Sequence, residues 1–588
     1  MKASSSSLAN FLMAGAVFFV PVFQRNYGWG EAQCVRLFSD VERLALSGGR
    51  NRSGHFFGSI TYASGGTLTS PEFMIVDGQQ RITSVMLLLK ALVDLSGDEN
   101  FASDVEYSFL VARGSLGMTK VKLKQTESDA GVFEKTILGE SPTPDSYLAS
   151  EKKSPVYSNY FLFRRLVESS SAGISDLYEA LFRLEVIDVL LEDENPQEVF
   201  ETMNSTGVLL TNADLLRNFL LMGVDRQRQE RLYGTYWKEI ERNVGQELME
   251  RFLNCYLAMR KRSVAVSRSG GRNPSGATAL YEAYKEWFAS VSDPSAGRYS
   301  LAKAVLGDML LCSERFRTIF HNDGRTELER AFRELVVDLS AEPACVFLMY
   351  LMGERERLEL SDADLLDATN ACVSYAFRSR IMKGTVGVEF FAVAIRRFEE
   401  ADPYMTFMER VWYVLTRGSG SRRFPKDDEF RKTMETSDFY SDYDAPLVRY
   451  ALYKYERAVT NELVDSEDVE VEHVLPQNVE SWRAELEARG DRDFPFLVHR
   501  IGNLTLTKRN GELSDFPFER KRKIYAESGF AGARAIAGNE RWGSEEILER
   551  SSEMARRALD LWPLPERYAY GFELPQYEPM GFWDDEDF

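Results

Sequence analysis

The chain contains four histidines, and two of them, His473 and His499, fall between Val471 and Lys523. That stretch reads V-E-H-V-L-P-Q, then H-R-I-G-N-L-T-L-T-K-R-N, then F-E-R-K-R-K. His473 follows Glu472 directly, with Asn503 and Asn510 lying 30 and 37 residues further on. Imidazole, with an ordinary pKa near ~6.5, suits proton abstraction at neutral pH. Phosphodiester hydrolysis needs that proton acceptor for its water, a cation against the charge on the phosphate, and help for the leaving oxygen. Carboxylate and amide oxygens are the ligands a hard divalent cation takes. One E-H dipeptide carries little weight, and a single histidine is most often a satisfied polar residue; the whole string narrows the chemistry.

Charge around the string points the same way. Between Pro495 and Lys523 there are seven lysines and arginines (Arg500, Lys508, Arg509, Arg520, Lys521, Arg522 and Lys523) against three acids, in a chain of net charge −20. The global charge excludes a general nucleic-acid coat, whereas a local reversal of sign suits phosphate contacts. Arg500, Lys508, Arg509, Lys521 and Lys523 are therefore candidate nucleic-acid contacts, the competing reading being a solvated helix face. The order of an acid–histidine pair, a central asparagine and a terminal asparagine is similar to that of an HNH (ββα-metal) nuclease. On that logic His473 is the general base, Glu472 and Asn510 are metal ligands, and Asn503 braces the hairpin that carries His473. His499 either contacts a phosphate or is structural.

A second constellation lies near the other end. Phe73 to Val76 reads as a short buried strand running into Asp77-Gly78-Gln79-Gln80-Arg81, after which Ile82 to Leu95 reads as an apolar helix. Strand, short polar loop and helix is where an α/β domain places a phosphate, on the unpaired N–H groups of the first helical turn. Gly78 allows close backbone approach, Arg81 offers a planar fork, and the glutamines can orient a base, a ribose or water. Gln24 and Arg25, after the strand expected from Phe18 to Phe23, could face the same cleft. The competing reading is a polar turn with a surface arginine.

The elements that must hold these groups follow from periodicity and breakers. A helix is expected over Glu31 to Ser47, strands over His55 to Tyr62, Val121 to Lys124 and Leu184 to Leu191, and a helix started by Thr211 or Asn212. From about 225 to 415 the pattern becomes long amphipathic helices, including Glu230 to Arg260, Ala277 to Ser290, Glu327 to Leu339 and Asp362 to Arg378. Residues 418 to 426 read as a linker. The expected division is 1–225, 226–415, 416–565 and an acidic aromatic tail at 566–588, a length that calls for more than one core. The five cysteines form no C-x-x-C and sit in apolar runs, as reduced core residues do. The apolar run Phe11 to Val20 is followed by Pro21 and lacks a small-residue cleavage site, so it is not read as a signal peptide, and Phe18 to Phe23 reads as a buried strand. With no run near ~20 apolar residues, a cytoplasmic protein is expected.

Four segments carry a family resemblance: V-P-V-F-Q-R-N-Y-G-W, F-F-G-S-I, I-V-D-G-Q-Q-R-I-T-S, and F-E-T-M-N-S-T-G-V-L-L-T-N-A-D-L-L-R-N. Together they resemble the DGQQR domain with a ParB/sulfiredoxin-like fold, while R-F-P-K-D-D-E-F and the E-H…G-N-L…N string resemble the HNH domain that commonly follows it. The pairing is similar to single-chain GmrSD-type modification-dependent (type IV) restriction endonucleases, and the phosphorothioate-sensing defence nuclease SspE shares the plan. The resemblance implies an α+β multidomain protein: a ParB/sulfiredoxin-like α/β domain, a mainly helical middle and a ββα-metal domain within a helical surround. It implies a nucleoside triphosphate bound by Gln24, Arg25, Asp77, Gly78, Gln79, Gln80, Arg81, Asn204, Asp214 and Arg217, with Asp77 and Arg81 serving its hydrolysis. It further implies Mg²⁺ or another divalent cation at the nuclease site.

The function expected is a phage-defence DNA endonuclease whose HNH site is gated by a domain that binds a nucleoside triphosphate and senses modified DNA, in a protein that could form homo-oligomers. The alternative is a regulatory or toxin-like nucleotide-binding protein with a degenerate or RNA-directed nuclease site.

Overall fold

The computed structural model describes residues 2–13, 16–22, 24, 26–47, 54–67, 70–113, 119–191, 211–222, 224, 226–263, 276–292, 295, 297–460 and 469–569. The chain divides into two compact units, Met1–Glu241 with Asn273–Asp308, and Arg242–Arg272 with Met309–Phe588.

The first unit is α+β. Its strands are β1 (Lys2–Ser7), β2 (Val17–Phe19), β3 (His55–Thr67), β4 (Ser70–Asp77), β5 (Val111–Arg113), β6 (Thr119–Val121), β7 (Leu123–Lys124) and β8 (Leu184–Leu191). Six of them form a mixed sheet in the order β1-β8-β3-β4-β2-β7. The pairs β8/β3, β4/β2 and β2/β7 are parallel, and β1/β8 and β3/β4 are antiparallel. The expected strand from Phe18 ends early for a simple reason. Val20 N still donates to Lys124 O at 2.9 Å, but Pro21 has no N–H to continue the ladder. The run Val121 to Lys124, read as one strand, is two: β6 pairs with β5 and β7 with β2, the chain changing sheets at Lys122.

Helix α1 (Gln79–Ser96) is the centre of this unit's core. Its sequence QQRITSVMLLLKALVDLS is apolar around nearly its whole circumference, and it is buried from Gln79 through Val93 apart from half-buried Arg81. It packs on α2 (Pro155–Ser169). Burial of each large aliphatic side chain here contributes roughly 1.5–3 kcal/mol. The one lysine on the helix, Lys90, is buried and ion-paired to Asp94 at 2.8 Å, with Glu106 3.5 Å away. A buried ammonium is tolerable only with such partners.

The second unit is mainly helical. The helix expected over Glu230 to Arg260 is broken at Gly245, whose φ of 80° a helix cannot accommodate. Helix α3 (Asp362–Ile381) starts with a reciprocal cap between Ser361 and Asp364 and carries the fully buried Arg378. That guanidinium donates to Trp562 O at 2.6 Å, Pro425 O at 3.1 Å and Asp427 Oδ1 at 2.6 Å. Tyr375 OH donates to Arg422 O at 2.9 Å, and Phe424 is buried. The stretch 418–426 therefore packs down instead of running free, because its carbonyls are held by one helix. All five cysteines are buried and unbridged. Among the described residues no helix is long and apolar enough to cross a membrane.

Candidate active site

In the second unit, strands β9 (Glu470–His473) and β10 (Leu504–Thr507) form an antiparallel hairpin in which His473 faces Leu504 and Glu472 faces Thr505. Successive side chains on a strand leave opposite faces, so Glu472 and His473 have different surroundings. Behind the hairpin lies helix α4 (Phe518–Ala526). Its Lys521, fully buried, donates to Glu472 Oε1 at 2.7 Å and to the carbonyls of His473 and Val474 at 3.0 and 3.2 Å. Tyr525 OH donates to the same Oε1 at 3.1 Å. Burial raises the Glu472 pKa and lowers that of Lys521, while each partner's charge opposes its neighbour's shift.

On the other face the His473 ring, 5% exposed, meets His499 and Gln477. His473 Nε2 lies 3.3 Å from His499 Nδ1, and Gln477 Nε2 lies 3.3 Å from His473 Nδ1. Tyr440 stands edge-on to His473, with ring centres 4.4 Å apart, and nearly parallel to His499. Burial first, then the neighbouring His499 and Lys521, pull the His473 pKa down to about 4. The ring is therefore neutral across the physiological range.

Asn503 has no exposure. Its Oδ1 accepts from Leu475 N at 2.8 Å and from Trp542 Nε1 at 3.1 Å, and its Nδ2 donates to the carbonyls of Leu475 and Val498. One amide thus ties together the segment after His473 and the segment before His499. Gly502 has a separate reason to be glycine: a Cβ there would meet Ile547 O at 2.2 Å and Ser551 Oγ at 2.4 Å on helix α5 (Ser544–Leu561). Arg550 of the same helix donates to the carbonyls of Gly502 and Leu504.

The basic residues divide. Arg500 is half-buried, with Nε and Nη1 unmatched by a hydrogen-bond acceptor and Asp438 3.8 Å away. Lys508 and Lys523 are exposed. Arg509 is exposed and paired with Glu512. Lys521 corrects the expectation of a phosphate contact, because its ammonium lies inside the unit on Glu472. The side chain of Asn510 lies outside the described residues. Among the described residues no group of three or more His, Cys, Asp or Glu side chains could hold a metal ion.

In the first unit Asp77 ends β4, Gly78 takes φ 98°, and Gln79 starts α1. A Cβ on Gly78 would press on Ile60 Cγ1 at 3.0 Å, so both backbone angle and space require glycine. Arg81 Nη1 donates to Ser59 O at 3.0 Å and lies 3.7 Å from Asp77 Oδ2; both side chains are about one-third exposed. Two of the glutamines expected to orient a nucleotide, Gln80 and Gln24, bond to backbone. Gln80 accepts from the N–H groups of Gly28 and Trp29 and donates to Asn26 O, and Gln24 donates to Val76 O at 2.8 Å. Gln79 is buried. Arg217, on helix Asn212–Leu221, pairs with Asp214 at 2.7 Å and Glu241 at 3.0 Å. Arg25 and Asn204 lie outside the described residues. At the carboxyl ends of β2 and β7 a cavity of about 300 Å³ is lined by Val20, Pro21, Lys124, Gln125, Gln229 and Tyr233. Gln125 ties its wall to α1 through Thr83 at 2.7 Å.

Both constellations fall within stretches matched by family models. The GmrSD restriction endonuclease N-terminal domain matches residues 7–221, and the GmrSD restriction endonuclease C-terminal domain matches residues 424–557. The chain belongs to the GmrSD restriction endonuclease family. Comparison with curated proteins gives no match. Membership in the GmrSD family makes this a restriction nuclease of phage defence, with DNA as its substrate. The C-terminal match spans the His473 hairpin, α4, Trp542 and Arg550; the N-terminal match spans Gln24 through Arg217. Spacing alone did not reveal Tyr440, Trp542 or Arg550, which reach the hairpin from distant parts of the chain, whereas Gln477 stood within the E-H-V-L-P-Q string.

Proposed function

We propose that the His473 hairpin is the cleavage centre, an HNH-type site in which neutral His473 takes a proton from the water that attacks a DNA phosphodiester. The observation that carries this reading is the placement of His473. Its ring is buried and uncharged, and it sits on a hairpin locked by Asn503 and backed by α4, the order of elements a ββα site needs. Positioning of this kind, more than added reactivity, is what a single base requires. Arg500, next to His499 and only loosely approached by Asp438 at 3.8 Å, is the arginine proposed to meet a phosphate oxygen.

Oxygen donors are what a hard divalent cation takes, and beside His473 such an ion would rest on Asn510 and keep most of its waters, as Mg²⁺ does, supplying positive charge against the phosphate. Glu472 does not fit that role: it is buried, accepts from Lys521, Tyr525 and the His473 N–H, and leaves the strand on the face away from the His473 ring.

For the first unit the reading is a nucleoside triphosphate site that senses modified DNA and gates cutting. Asp77 and Arg81 stand where β4 meets an 18-residue helix, with Arg81 on Ser59 of β3; the cavity at the carboxyl ends of β2 and β7, both parallel to β4 in sense, is lined by other residues of the same sheet edge. Ligands of open α/β sheets enter at that edge, and phosphates prefer helix N-termini.

The test is digestion of phage DNAs that differ only in their modification, with Mg²⁺ or EDTA and with or without each triphosphate, beside an RNA control. Wild type should cut DNA in Mg²⁺, and H473A should not. Equal cutting by H473A would remove the hairpin as the cleavage centre, and preferential cutting of RNA would redirect the substrate.

A further inference from the structure

We infer that His499 is the positioning residue for His473: its Nδ1 accepts the proton on His473 Nε2, fixing the tautomer that keeps the lone pair on His473 Nδ1, the atom that takes the water's proton once the Gln477 amide moves off it. The catalytic consequence rests on the nuclease reading above; the tautomer itself does not.

The hydrogen-bond network selects this arrangement. The Gln477 amide presents its nitrogen, a donor only, to His473 Nδ1 at 3.3 Å, so Nδ1 carries the lone pair. In a neutral imidazole the proton then sits on Nε2, and the atom facing it at 3.3 Å is His499 Nδ1. The His473–His499 contact fits that pattern, with His499 Nδ1 as the acceptor. His499 is in turn fixed from outside the pair. Tyr440 N donates to His499 O at 3.1 Å, and the Tyr440 ring lies nearly parallel to the His499 ring at 5.9 Å, interplanar angle 13°. The same tyrosine meets His473 edge-on, so one aromatic side chain sets the angle between the imidazoles, which are 83° apart. Lys521 meets His473 at its backbone oxygen and not at the ring, and Glu472 lies on the opposite strand face. An acceptor that fixes a histidine's tautomer is usually a carboxylate or carbonyl; here a second imidazole does this.

Two variants and one spectrum test this. H499F keeps an aromatic ring for Tyr440 but removes the acceptor, whereas H499N keeps a small acceptor near the position of Nδ1. In DNA cleavage, H499F should lose roughly 10- to 100-fold in kcat with little change in KM, and H499N should cut faster than H499F. With ¹⁵N-histidine labelling, the four histidines give a countable set of ring signals, assigned by His→Gln variants. His473 should be the Nε2–H tautomer in wild type and gain the Nδ1–H form in H499F. An Nδ1–H tautomer in wild type, a tautomer unmoved in H499F, or a kcat loss equal in H499N and H499F would overturn the inference. A wild type that cuts no DNA would sink the nuclease reading, and the spectrum would still decide the tautomer.

Discussion

At the residue scale, His473 and Lys521 are two buried groups with opposite consequences for acid and for mutation. The folded-state pKa of His473, about 4, lies below the ordinary ~6.5. Between those values the unfolded chain binds the proton and the folded chain does not, so stability falls as pH drops through that window. The size is up to roughly 3 kcal/mol for this one group. Urea midpoints in EDTA from pH 7 to 4.5 should therefore fall more steeply for wild type than for H473Q, which cannot titrate; parallel curves would show that the ring is not held neutral. Lys521 makes a sharper prediction. K521M leaves Glu472 buried without its partner and two carbonyls without a donor, a loss of about 3–5 kcal/mol, seen as a lower urea midpoint. A lysine serving DNA from the surface would instead weaken binding and leave the midpoint in place.

At the element scale, what was legible and what was not separates by range. The helix after Gly78 was legible because its apolar residues crowd one short segment and a glycine marks its start. The hairpin was expected only from the likeness to an HNH site and not from a strand pattern of its own. The division of Val121 to Lys124 between two sheets was not, since register depends on partners far along the chain. For the same reason the strand alternation that separates Glu472 from His473 was readable in principle, yet the lysine that takes Glu472 comes from a helix whose inner face only packing reveals. Gln80 holds backbone where a ligand group was expected, because a buried amide bonded to backbone leaves the same mark in a sequence as one facing solvent. Gly502 tests the element-level account. G502A drives a methyl group into Ile547 O and Ser551 Oγ, both on helix α5, so the hairpin must move away from its brace. Overpacking of this kind costs typically ~1–3 kcal/mol. DNA cleavage should fall with it, because Asn503 is the next residue. A G502A protein with wild-type stability and rate would mean the hairpin is not held by α5.

At the scale of the whole molecule, two compact units each carry one constellation, and the question is whether they act as one enzyme. Arg81 is the residue on which to ask it. Its guanidinium has one bond to Ser59 O and a loose approach to Asp77, and Gly58 leaves it room: a Cβ there would meet Arg81 Nε at 2.9 Å. A planar fork holds Ser59 O at one nitrogen and aims the others at a phosphate in a fixed geometry, which a lysine's single flexible head does not reproduce, so R81K, which keeps the charge, should fail nearly as fully as R81A. Both should lose triphosphate turnover by about two orders of magnitude or more, a typical size for a cation stabilising transferring phosphoryl oxygens. If the first unit gates the second, the reciprocal pattern follows. H473A should hydrolyse triphosphate at the wild-type rate and cut nothing, whereas in R81A the rate of DNA cleavage should no longer respond to added triphosphate. A cleavage rate that still responds to triphosphate in R81A would place the nucleotide elsewhere in the chain, and hydrolysis lost in H473A would mean that the two chemistries share a site.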